Sequence, residues 1–549
     1  MRTDIVDILL EKRGIIAQKD KEIFLHPDYI NGQYDSYSMP NLGIAVDRLE
    51  EAIEKEQKIL IYADYDCDGI PGAVILSDLM IKIGYENFSV YIPDRHDEGY
   101  GLNNDAVEKA VKDEVALIIT IDLGTSDIDS IAKAKENGID VIVTDHHIPH
   151  DVLPEAYAVV NPKLADSTYG DKMLCGTGVV FKFIQGFIKK YGSLHNISNE
   201  WEKWLLDMVA LATLSDMVPL TNENRIFAYY GLKVIKKTKR PGLQKLFNDL
   251  KIDQKYLTED DITFMITPRI NAASRMDSPM RAFELLSEKD VTKAGALADH
   301  LSKINDDRKV TVATIMREVH KKLEGRELGD VIVIGNPLWR AGVLGLVAGK
   351  ITDQYERTTF VWGSGGEDEG YKGSCRSNGS VSVVELMTET KNSFVSYGGH
   401  ELAGGFSVTH KEVLLLESTL LGAYNRTKRE MEKDHTGKQD IILNLNDVTE
   451  DLYNKITQLA PFGCENPKPV IKFIGLEIYA IKQFGKEKNH LEIVFRENDK
   501  NLKAIAFFAD VNSYKKILDI GSVVDLLAHI EVSYFMSKKE LRLRIIDIL

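Results

Sequence analysis

Cysteine is scarce in this sequence, with four residues among 549, and no two of them form a CxxC pair. The four are Cys67, Cys175, Cys375 and Cys464. This spread excludes the paired thiolate spacing of structural zinc sites and gives no sign of a disulfide framework. Free thiols are typical of proteins that reside in a reducing compartment, so we expect a cytoplasmic location.

Long apolar runs are also missing. No stretch approaches the roughly 20 predominantly apolar residues that a membrane-spanning helix needs. The opening segment, MRTDIVDILLEKRG, mixes acidic and basic side chains with apolar ones, which is unlike a secretory signal peptide. We therefore expect neither a membrane anchor nor export.

The sequence also lacks an excess of basic residues. It has 68 Lys and Arg and 84 Asp and Glu, which gives a formal net charge of −16. Taken alone, this balance disfavours nucleic-acid binding, since phosphates are contacted by Lys and Arg. Clustered acids can instead be metal ligands, and a local basic channel can coexist with an acidic exterior. The net charge therefore leaves nucleic-acid binding open.

The composition, 44% hydrophobic and 28% charged, is typical of globular proteins, and the length predicts three or four domains. Short apolar runs alternate with helical or turn-rich stretches at 58–63 (KILIYA), 115–120 (VALIIT) and 140–144 (DVIVT). This alternation predicts an α/β domain built on a parallel sheet. Each run ends in acids or histidines, and ligands of such sheets bind beyond the carboxyl ends of the strands, so one site could collect these motifs.

Later segments predict further domains. Apolar residues recur at three- and four-residue steps between Leu297 and Leu323, with Arg308 in a gap, which predicts a long helix over 286–324. A second, smaller α/β segment is predicted from 330 to about 410, and a charged stretch follows at 425–440. Five short apolar runs after about 470 are typical of a small β-barrel such as an OB-fold.

Three carboxylates alternate in the first polar motif, Asp64-Tyr65-Asp66-Cys67-Asp68-Gly69. A calcium-binding EF-hand loop begins in the same way, but it needs Glu at its twelfth position, which is Ile75 here. It also needs a preceding helix, whereas KILIYA is predicted as a strand. The EF-hand interpretation is therefore excluded.

Three more polar motifs accompany it, namely Asp122 in TIDLGTS, Asp145-His146-His147 in VTDHHIP and Asp216 in ATLSDMVPL. Each alone is typical of a turn or a cap, but their joint occurrence favours a metal site. Carboxylates with one or two imidazoles and no thiolate cluster suit Mn²⁺ or Mg²⁺ better than zinc. Two such ions about 4 Å apart could share a bridging carboxylate and a water, lower the pKa of that water and hydrolyse a phosphodiester without a Ser or Cys nucleophile.

Seven motifs follow one another in order before residue 280: DYDCDG, IPDRHDEGYGLN, IDLGTS, TDHHIP, NPKLADSTYGDKMLCGTGVVFK, SDMVPLTNENR and PRINAASRM. In this order they resemble the motifs of the RecJ-like exonucleases in the DHH phosphodiesterase family. WRAGVLGLVAGK, GSCRSNG and GGHELAGGF resemble the family's DHH-associated domain, and LAPFGCENPKP resembles the entry to its OB-fold. The resemblance covers nearly the whole chain.

Four parts of the chain are implied by this resemblance. They are a DHH catalytic domain with an N-terminal lead-in at 1–285, a connecting helix at 286–325, a DHH-associated substrate-binding domain at 326–435 and an OB-fold-like nucleic-acid-binding domain at 436–549. In the last part, aromatic and basic side chains are candidates to stack on bases and follow phosphates. They are Phe484, Lys486, Lys488 and His490.

The resemblance also implies which residues hold two Mn²⁺ or Mg²⁺ ions. The implied ligands are Asp64, Asp66, Asp68, Asp122, His146 and Asp216. Asp66 and Asp68 would each bind one ion, and Asp122 would bridge both. His146 and Asp216 would complete the second site. Asp145 would orient the ligands. His147 would face the scissile phosphate and so belongs with Asp66, Asp68, Asp122, His146 and Asp216 to the implied catalytic set.

Six residues are implied to bind the substrate: Arg95, Arg275, Arg376, Ser377, Gly399 and His400. The first two correspond to the family's phosphate-binding residues, and a guanidinium fork pairs bidentately with phosphate oxygens. The other four would hold the strand backbone from the second domain, around a glycine turn that lets backbone approach closely. One departure from the family pattern is Arg340, which stands where relatives often have His.

The implied function is a 5′-to-3′ exonuclease that is specific for single-stranded DNA, releases mononucleotides and acts in DNA repair and recombination. The resemblance further implies that a single-strand-binding protein and a helicase are partners, and we expect the protein to be a monomer. Three alternatives stay open: a DHH phosphodiesterase for short RNAs, cyclic dinucleotides or pyrophosphate, a non-catalytic replication scaffold, and a strand-binding module with a structural metal site. The choice between DNA and RNA is also open, because contacts to a 2′-hydroxyl are not readable from these residues.

Overall fold

The computed structural model describes residues 4–95, 98–365, 370–428, 439–485, 488–511, 513–514, 516–535 and 538–549. The α-helices are α1 Ile5–Lys12, α2 Gln18–Leu25, α3 Leu42–Glu54, α4 Gly69–Lys82, α5 Asn104–Lys112, α6 Ile128–Glu136, α7 Gly176–Tyr191, α8 Leu206–Ser215, α9 Asn222–Ile235, α10 Pro241–Asp249, α11 Thr267–Met276, α12 Met280–Ser287, α13 Val291–Leu323, α14 Ala341–Tyr355, α15 Val383–Glu389, α16 Leu416–Thr427 and α17 Glu450–Ile456.

The strands are β1 Ile59–Ala63, β2 Phe88–Tyr91, β3 Leu117–Ile121, β4 Asp140–Thr144, β5 Ala158–Val160, β6 Val331–Gly335, β7 Thr358–Ser364, β8 Tyr371–Arg376, β9 Ser396–Gly399, β10 Ala403–Val408, β11 Ile441–Ile442, β12 Ile471–Phe484, β13 His490–Glu497, β14 Lys500–Phe507, β15 Val523–Phe535 and β16 Lys538–Ile548. The chain divides into two compact units. One contains the described residues of 35–216 and 231–428, and the other contains those of 4–34, 217–230 and 439–549.

The first sheet has the order β2-β1-β3-β4-β5, and every neighbouring pair in it is parallel. Every residue of β1 and β3 is buried, because helices cover both faces of the sheet. The order sets β1, β3 and β4 side by side, so the polar residues that follow each of them emerge at one edge. The predicted parallel α/β domain is confirmed.

Helix α13 is 33 residues long and begins at Val291, later than the predicted start at 286, because residues 288–290 separate it from α12. The side chain of Asp290 caps it by accepting a hydrogen bond from the backbone N–H of Lys293. Its N-terminal part packs against α10, α11 and α12. Its C-terminal part buries Val312, Ile315 and Val319 against α14 and the second sheet. One helix thus belongs to two hydrophobic layers of the same unit.

The second sheet has the order β6-β7-β8-β10-β9. Strands β6 and β7 are parallel and are connected through α14, and the remaining pairs are antiparallel. Helices α15 and α16 pack on the face opposite α14, around Phe360 and Phe406. This arrangement is the smaller α/β domain that the sequence predicts.

The other unit is built on a five-stranded barrel. The strands follow one another in the order β12-β13-β14-β16-β15, and β15 pairs back with β12. The predicted β-barrel is confirmed. Helices α1 and α2 pack onto it, with Leu9 and Leu10 fully buried in a core shared with Phe473 and Phe495. Within the described ranges, no helix combines the length and the apolar character that crossing a bilayer requires.

Candidate metal centre

The carboxyl ends of three adjacent strands bring the predicted ligands together. Asp64 follows β1, Asp122 follows β3, and Asp145 with its two histidines follows β4. Three overlapping groups result, each with ligand atoms within 4.8 Å of one another. They are Asp64, Asp66 and Asp122; Asp68, His146 and Asp216; and Asp122, His146 and His147.

The acidic loop after β1 is a tight turn. One carboxylate oxygen of Asp66 accepts hydrogen bonds from the backbone N–H groups of Asp68 at 2.7 Å and Gly69 at 3.3 Å. A Cβ on Gly69 would lie 2.5 Å from the backbone oxygen of Asp64, so only glycine fits there. The turn therefore points three carboxylates into a small volume.

Helix α7 holds Asp68 at its N-terminus. The backbone N–H of Gly176 donates to one carboxylate oxygen of Asp68 at 2.6 Å, and that of Thr177 donates to the other at 2.7 Å. The Thr177 hydroxyl also donates to the backbone oxygen of Asp68. Free N–H groups and the helix dipole stabilise a negative charge at this position. A Cβ on Gly176 would lie 2.6 Å from Asp122, so the helix also limits where that side chain can lie.

The two histidines of the DHH motif differ in their contacts. Nε2 of His146 lies 3.2 Å from Asp122, 3.7 Å from Asp216 and 3.8 Å from Asp68. His147 instead places Nδ1 2.8 Å from Asp145. Asp145 also accepts hydrogen bonds from the backbone N–H groups of both histidines and of Thr125, so its carboxylate orients this loop.

Burial and mutual repulsion dominate the electrostatics of the centre. Burial, followed by the charges of neighbouring carboxylates, raises the pKa of Asp64 and that of Asp122 well above the usual range. The same causes raise the pKa of Asp216 to about 9. Burial lowers the pKa of His146 to about 4, so its imidazole is neutral near pH 7. Without a cation, the carboxylates of Asp64, Asp122 and Asp216 thus repel one another and retain protons.

The donor set fits hard divalent cations. Among the residues that the structure describes, one buried oxygen of Asp64 and one of Asp122 accept no hydrogen bond. A buried polar atom without a partner is costly, and a cation at this place would satisfy both oxygens. Carboxylate oxygens with one neutral imidazole match the preferences of Mn²⁺ and Mg²⁺.

An arginine group lies beside the acidic loop. The Arg95 guanidinium lies over the Tyr65 ring, 5.0 Å from its centroid. The N–H of Arg275 donates to the backbone oxygen of Gly342, at the start of α14. Burial, followed by the charges of Arg95, Arg308 and Arg376, lowers the pKa of Arg275 to about 9. The fold thus brings the predicted residues Arg95, Arg275 and Arg376 together.

The other residues predicted to bind substrate are Ser377, Gly399 and His400, which lie in the turn after β8 and in the hairpin of β9 and β10. The Ser377 hydroxyl donates to the backbone oxygen of Val381, inside its own turn. Gly399 has φ +140° at the end of β9, a conformation that favours glycine. His400 is exposed in the hairpin between β9 and β10, where its backbone N–H donates to Ala403. No contact from these three to the acid cluster is recorded within the described parts of the chain.

Several residues around the centre have roles that sequence reasoning did not assign. Asn271 accepts a hydrogen bond from the backbone N–H of Cys67 at 2.8 Å and so fastens the acidic loop to α11. The Tyr100 hydroxyl donates to the backbone oxygen of Asp122 at 3.1 Å. Burial lowers the pKa of Lys163, whose charge acts on Asp216, Asp145 and Asp122. All three lie inside motifs that carry the family resemblance, which was the available signal.

Family models match three parts of the chain. Residues 58–213 match the DHH family N-terminal domain, residues 328–416 match the DHHA1 domain, and residues 439–547 match the RecJ OB domain. The fold and the acid–histidine cluster therefore define a protein of the DHH class that carries an OB domain.

Curated relatives specify the family within that class. The chain is 31% identical over 546 residues to the single-stranded-DNA-specific exonuclease RecJ of Bacillus subtilis, covering 99% of this chain and 68% of the relative. It is 32% identical to the protein of the same name from Haemophilus influenzae, covering 91% of this chain and 89% of the relative. The chain belongs to the RecJ family.

Solved structures share its fold. A RecJ structure from Thermus thermophilus, described as a complex with Mn²⁺, matches with a TM-score of 0.81 at 24% identity, over 99% of this chain and 75% of that one. An exonuclease RecJ described as bound to manganese matches with a TM-score of 0.62 at 29% identity, over 71% of this chain and 95% of that one.

Proposed function

We propose that this protein is a metal-dependent exonuclease that hydrolyses single-stranded DNA from the 5′ end and releases mononucleotides. The observation that carries the proposal is the position of Asp122, which belongs to the ligand group of Asp64 and Asp66 and lies 3.2 Å from His146, a member of the ligand group of Asp68 and Asp216. A carboxylate between two ligand groups is the arrangement that a two-metal phosphodiesterase needs. The names of the curated relatives supply the substrate class.

Two groups of side chains would hold the cations. Asp64, Asp66 and Asp122 would hold one ion, and Asp68, His146 and Asp216 would hold the other. When bound, two divalent ions supply Lewis acidity, which activates a water and neutralises charge on the phosphoryl oxygens. The N-terminus of α7 fixes Asp68, so this ligand needs little reorganisation when an ion enters.

His147 would face the scissile phosphate. Its Nδ1 lies 2.8 Å from Asp145, so an N–H at that nitrogen donates to the carboxylate and leaves Nε2 for the substrate. Burial would lower the pKa of His147, but the hydrogen bond and the charge of Asp145 raise it above its ordinary value. A protonated His147 can therefore donate to a phosphoryl oxygen and stabilise the charge that develops there.

The arginine group would recognise the strand end. Arg95, Arg275 and Arg376 can pair with a terminal phosphate beside the acidic loop. A phosphate held there would place the next linkage at the metal centre, so each cycle would release one nucleotide. The barrel would bind single strands through aromatic side chains, because stacking on bases is independent of sequence.

We further propose the cellular setting that the family resemblance implies. The enzyme would act as a monomer in the cytoplasm, in DNA repair and recombination, on single strands supplied by a helicase and covered by a single-strand-binding protein. Analytical ultracentrifugation and pull-down with those two partners would test this setting.

The activity is tested with end-labelled oligonucleotides. We expect 5′-phosphorylated single-stranded DNA to be shortened stepwise with Mn²⁺ or Mg²⁺, while double-stranded DNA, RNA and reactions with EDTA stay intact. Cleavage of linear dinucleotides or cyclic dinucleotides alone would instead favour a phosphodiesterase for short substrates. Binding of single strands without any cleavage in Mn²⁺ would contradict the proposal.

A further inference from the structure

Tyr100 is a half-exposed aromatic residue beside the metal centre. It belongs to the loop that precedes α5, and 51% of its surface is exposed, so burial of its ring is not what places it there. The next residue, Gly101, has φ +95°, and a Cβ at this position would lie 2.6 Å from the side chain of Asp127. The loop therefore has a specific shape that glycine permits, and this shape sets where Tyr100 lies.

The loop that carries Tyr100 is fastened to β1 and to the start of α6. The hydroxyl of Tyr62, a fully buried residue of β1, donates to the backbone oxygen of Gly101 at 3.0 Å. The backbone N–H of Leu102 donates to the carboxylate of Asp127, the residue before α6, at 2.6 Å. Both contacts hold the backbone directly after Tyr100, so its side chain is presented from a fixed support.

The Tyr100 hydroxyl lies between two loops of the metal centre. It is 3.1 Å from the backbone oxygen of Asp122, which follows β3, and 3.2 Å from Nδ1 of His147, which follows β4. The rings of Tyr100 and His147 also meet edge to face, with centroids 5.7 Å apart and planes inclined by 69°. One side chain thus contacts both the backbone of a candidate metal ligand and the histidine proposed to face the phosphate.

The directions of these hydrogen bonds follow from the donors at hand. A phenol has one O–H and a backbone carbonyl can only accept, so the hydrogen points to Asp122. Toward His147 the phenol oxygen then accepts, which places a hydrogen on Nδ1. The carboxylate of Asp145, 2.8 Å from the same nitrogen, requires that hydrogen as well, because an unprotonated Nδ1 would set a lone pair against a carboxylate oxygen. Tyr100 and Asp145 together leave Nε2 of His147 for the substrate.

We propose that Tyr100 is a positioning residue of the exonuclease, which holds the ring of His147 in place relative to Asp122. The inference rests on the proposed function, in which His147 faces the scissile phosphate. Asp145 holds one atom of the imidazole, about which the ring can still turn. The hydroxyl and the ring edge of Tyr100 restrict that movement, so Nε2 stays directed at the phosphoryl oxygen on which charge develops.

Tyr100→Phe tests the hydroxyl, because it keeps the ring and the loop. On a 5′-phosphorylated single strand with saturating Mn²⁺, kcat should fall about threefold to tenfold, the effect of losing one hydrogen-bonding group. KM should not change, since the hydroxyl contacts the enzyme and not the strand. The matched control is Tyr157→Phe, which removes the hydroxyl of another half-exposed tyrosine of the same unit and should leave kcat and KM unchanged. Thermal unfolding should show the same melting temperature for all three proteins.

A double-mutant cycle with His147→Ala separates positioning of His147 from any other effect of the hydroxyl. The slow cleavage that remains in His147→Ala is followed over hours with enzyme in excess of the strand. If Tyr100 acts through His147, adding Tyr100→Phe to this variant should lower the rate no further.

Crystal structures of the native and Tyr100→Phe proteins without metal give a readout that needs no activity. In the native protein the His147 ring should occupy one position, with Nδ1 at hydrogen-bond distance from Asp145. In the variant the ring should be displaced or occupy a second position.

Three results would overturn the assignment of Tyr100. They are a native kcat for Tyr100→Phe, an equal further loss in the His147→Ala background, and a His147 ring that keeps its single position in the variant. A native enzyme that leaves the strand intact would instead contradict the proposed function. The crystal structures would still decide whether Tyr100 holds His147, so the two failures are distinguishable.

Discussion

At the scale of single residues, Asp122 is the most constrained member of the centre. It has φ +62°, a left-handed conformation that Asp and Asn tolerate better than other side chains. It is buried, lies 3.2 Å from His146 and carries an oxygen that no described residue satisfies. Backbone strain and carboxylate repulsion are both unfavourable for folding, and such unfavourable arrangements are typical of functional sites.

Asp122→Asn should abolish cleavage while preserving the fold. Asn tolerates the same φ and has nearly the same shape, whereas Ala would add backbone strain. Turnover with Mn²⁺ should fall at least about a hundredfold, because the carboxylate that we propose both ions share loses its charge. In EDTA, the melting temperature of the variant should equal or exceed that of the native protein, since one repelling carboxylate is gone. Adding Mn²⁺ should raise the melting temperature of the native protein but not that of the variant.

The exposed Asp129→Asn serves as the control for charge removal and should behave like the native protein. Normal turnover of the Asp122→Asn variant would contradict the assignment of Asp122 as the shared ligand.

Arg95→Ala tests recognition of the strand end. It should reduce cleavage of 5′-phosphorylated strands by about tenfold or more, and it should affect 5′-hydroxyl strands much less, because a bidentate pair with a terminal phosphate is lost. Arg95→Lys should recover little, since Lys keeps the charge but lacks the planar fork. Single-turnover rates on the two kinds of strand give the ratio. Equal losses on both would mean that Arg95 binds the backbone generally.

At the scale of elements, the N-terminus of α7 holds two of the candidate ligands, Asp68 and Asp122, in position. Its first two backbone N–H groups hold both oxygens of Asp68, and its first residue lies against Asp122. The acidic loop is held from the other side by Asn271 of α11. Two helices that are distant in sequence thus fix ligands that follow β1, and preorganised ligands lower the cost of binding ions.

Gly176→Ala should damage the centre, whereas Gly178→Ala should not. An added Cβ at Gly176 would lie 2.6 Å from Asp122, but at Gly178 its nearest neighbour would be 3.5 Å away, an ordinary contact. Both residues lie in the first turn of α7, and alanine is intrinsically favourable in a helix, so the variants differ mainly in this clash.

The measurement is Mn²⁺-dependent cleavage together with the Mn²⁺ concentration that gives half-maximal rate. We expect Gly176→Ala to lower the rate or raise that concentration about tenfold, and Gly178→Ala to match the native enzyme. Two indistinguishable variants would show that α7 does not set the position of Asp122.

At the scale of the whole molecule, the barrel cannot be deleted without disturbing the N-terminal helices, which share its core. Helices α1 and α2 pack onto it, and Leu9 and Leu10 are completely buried in its core. Deleting 436–549 would therefore expose an apolar face elsewhere in the chain and promote aggregation. Surface substitutions on the barrel are the cleaner test of its role.

Phe508→Ala should weaken binding to long single strands and spare cleavage of short ones. Phe508 is 83% exposed and lies beside His490, which also contacts Phe484 and Phe507. Loss of one stacking partner costs about 1–3 kcal/mol per base, which is about fivefold to a hundredfold in affinity. Lys486, another predicted contact, lies outside the described residues.

Fluorescence anisotropy with strands of different length measures the effect. Ile517→Ala, which removes another exposed apolar side chain of the same unit, should leave affinity unchanged. Unchanged affinity of the Phe508→Ala variant for long strands would count against a stacking surface at this place.

The sequence by itself determined the parallel sheet, the barrel and the identity of the candidate ligands. Strands with buried residues on both faces carry continuous apolar runs, and the rule that parallel strands share one carboxyl edge predicts where Asp64, Asp122 and Asp145 meet. These properties are local or follow from simple topology, so the pattern of residues is enough to predict them.

Only the tertiary structure decided which distant residues complete the centre. The amides of Gly176 and Thr177 meet Asp68, and the side chain of Asn271 meets the loop beside it, across more than a hundred residues of chain. Backbone N–H groups have no sequence signature, because every residue except proline has one. Likewise, α1 packs onto a barrel more than four hundred residues away, since its apolar face needs a partner that its own sequence does not specify.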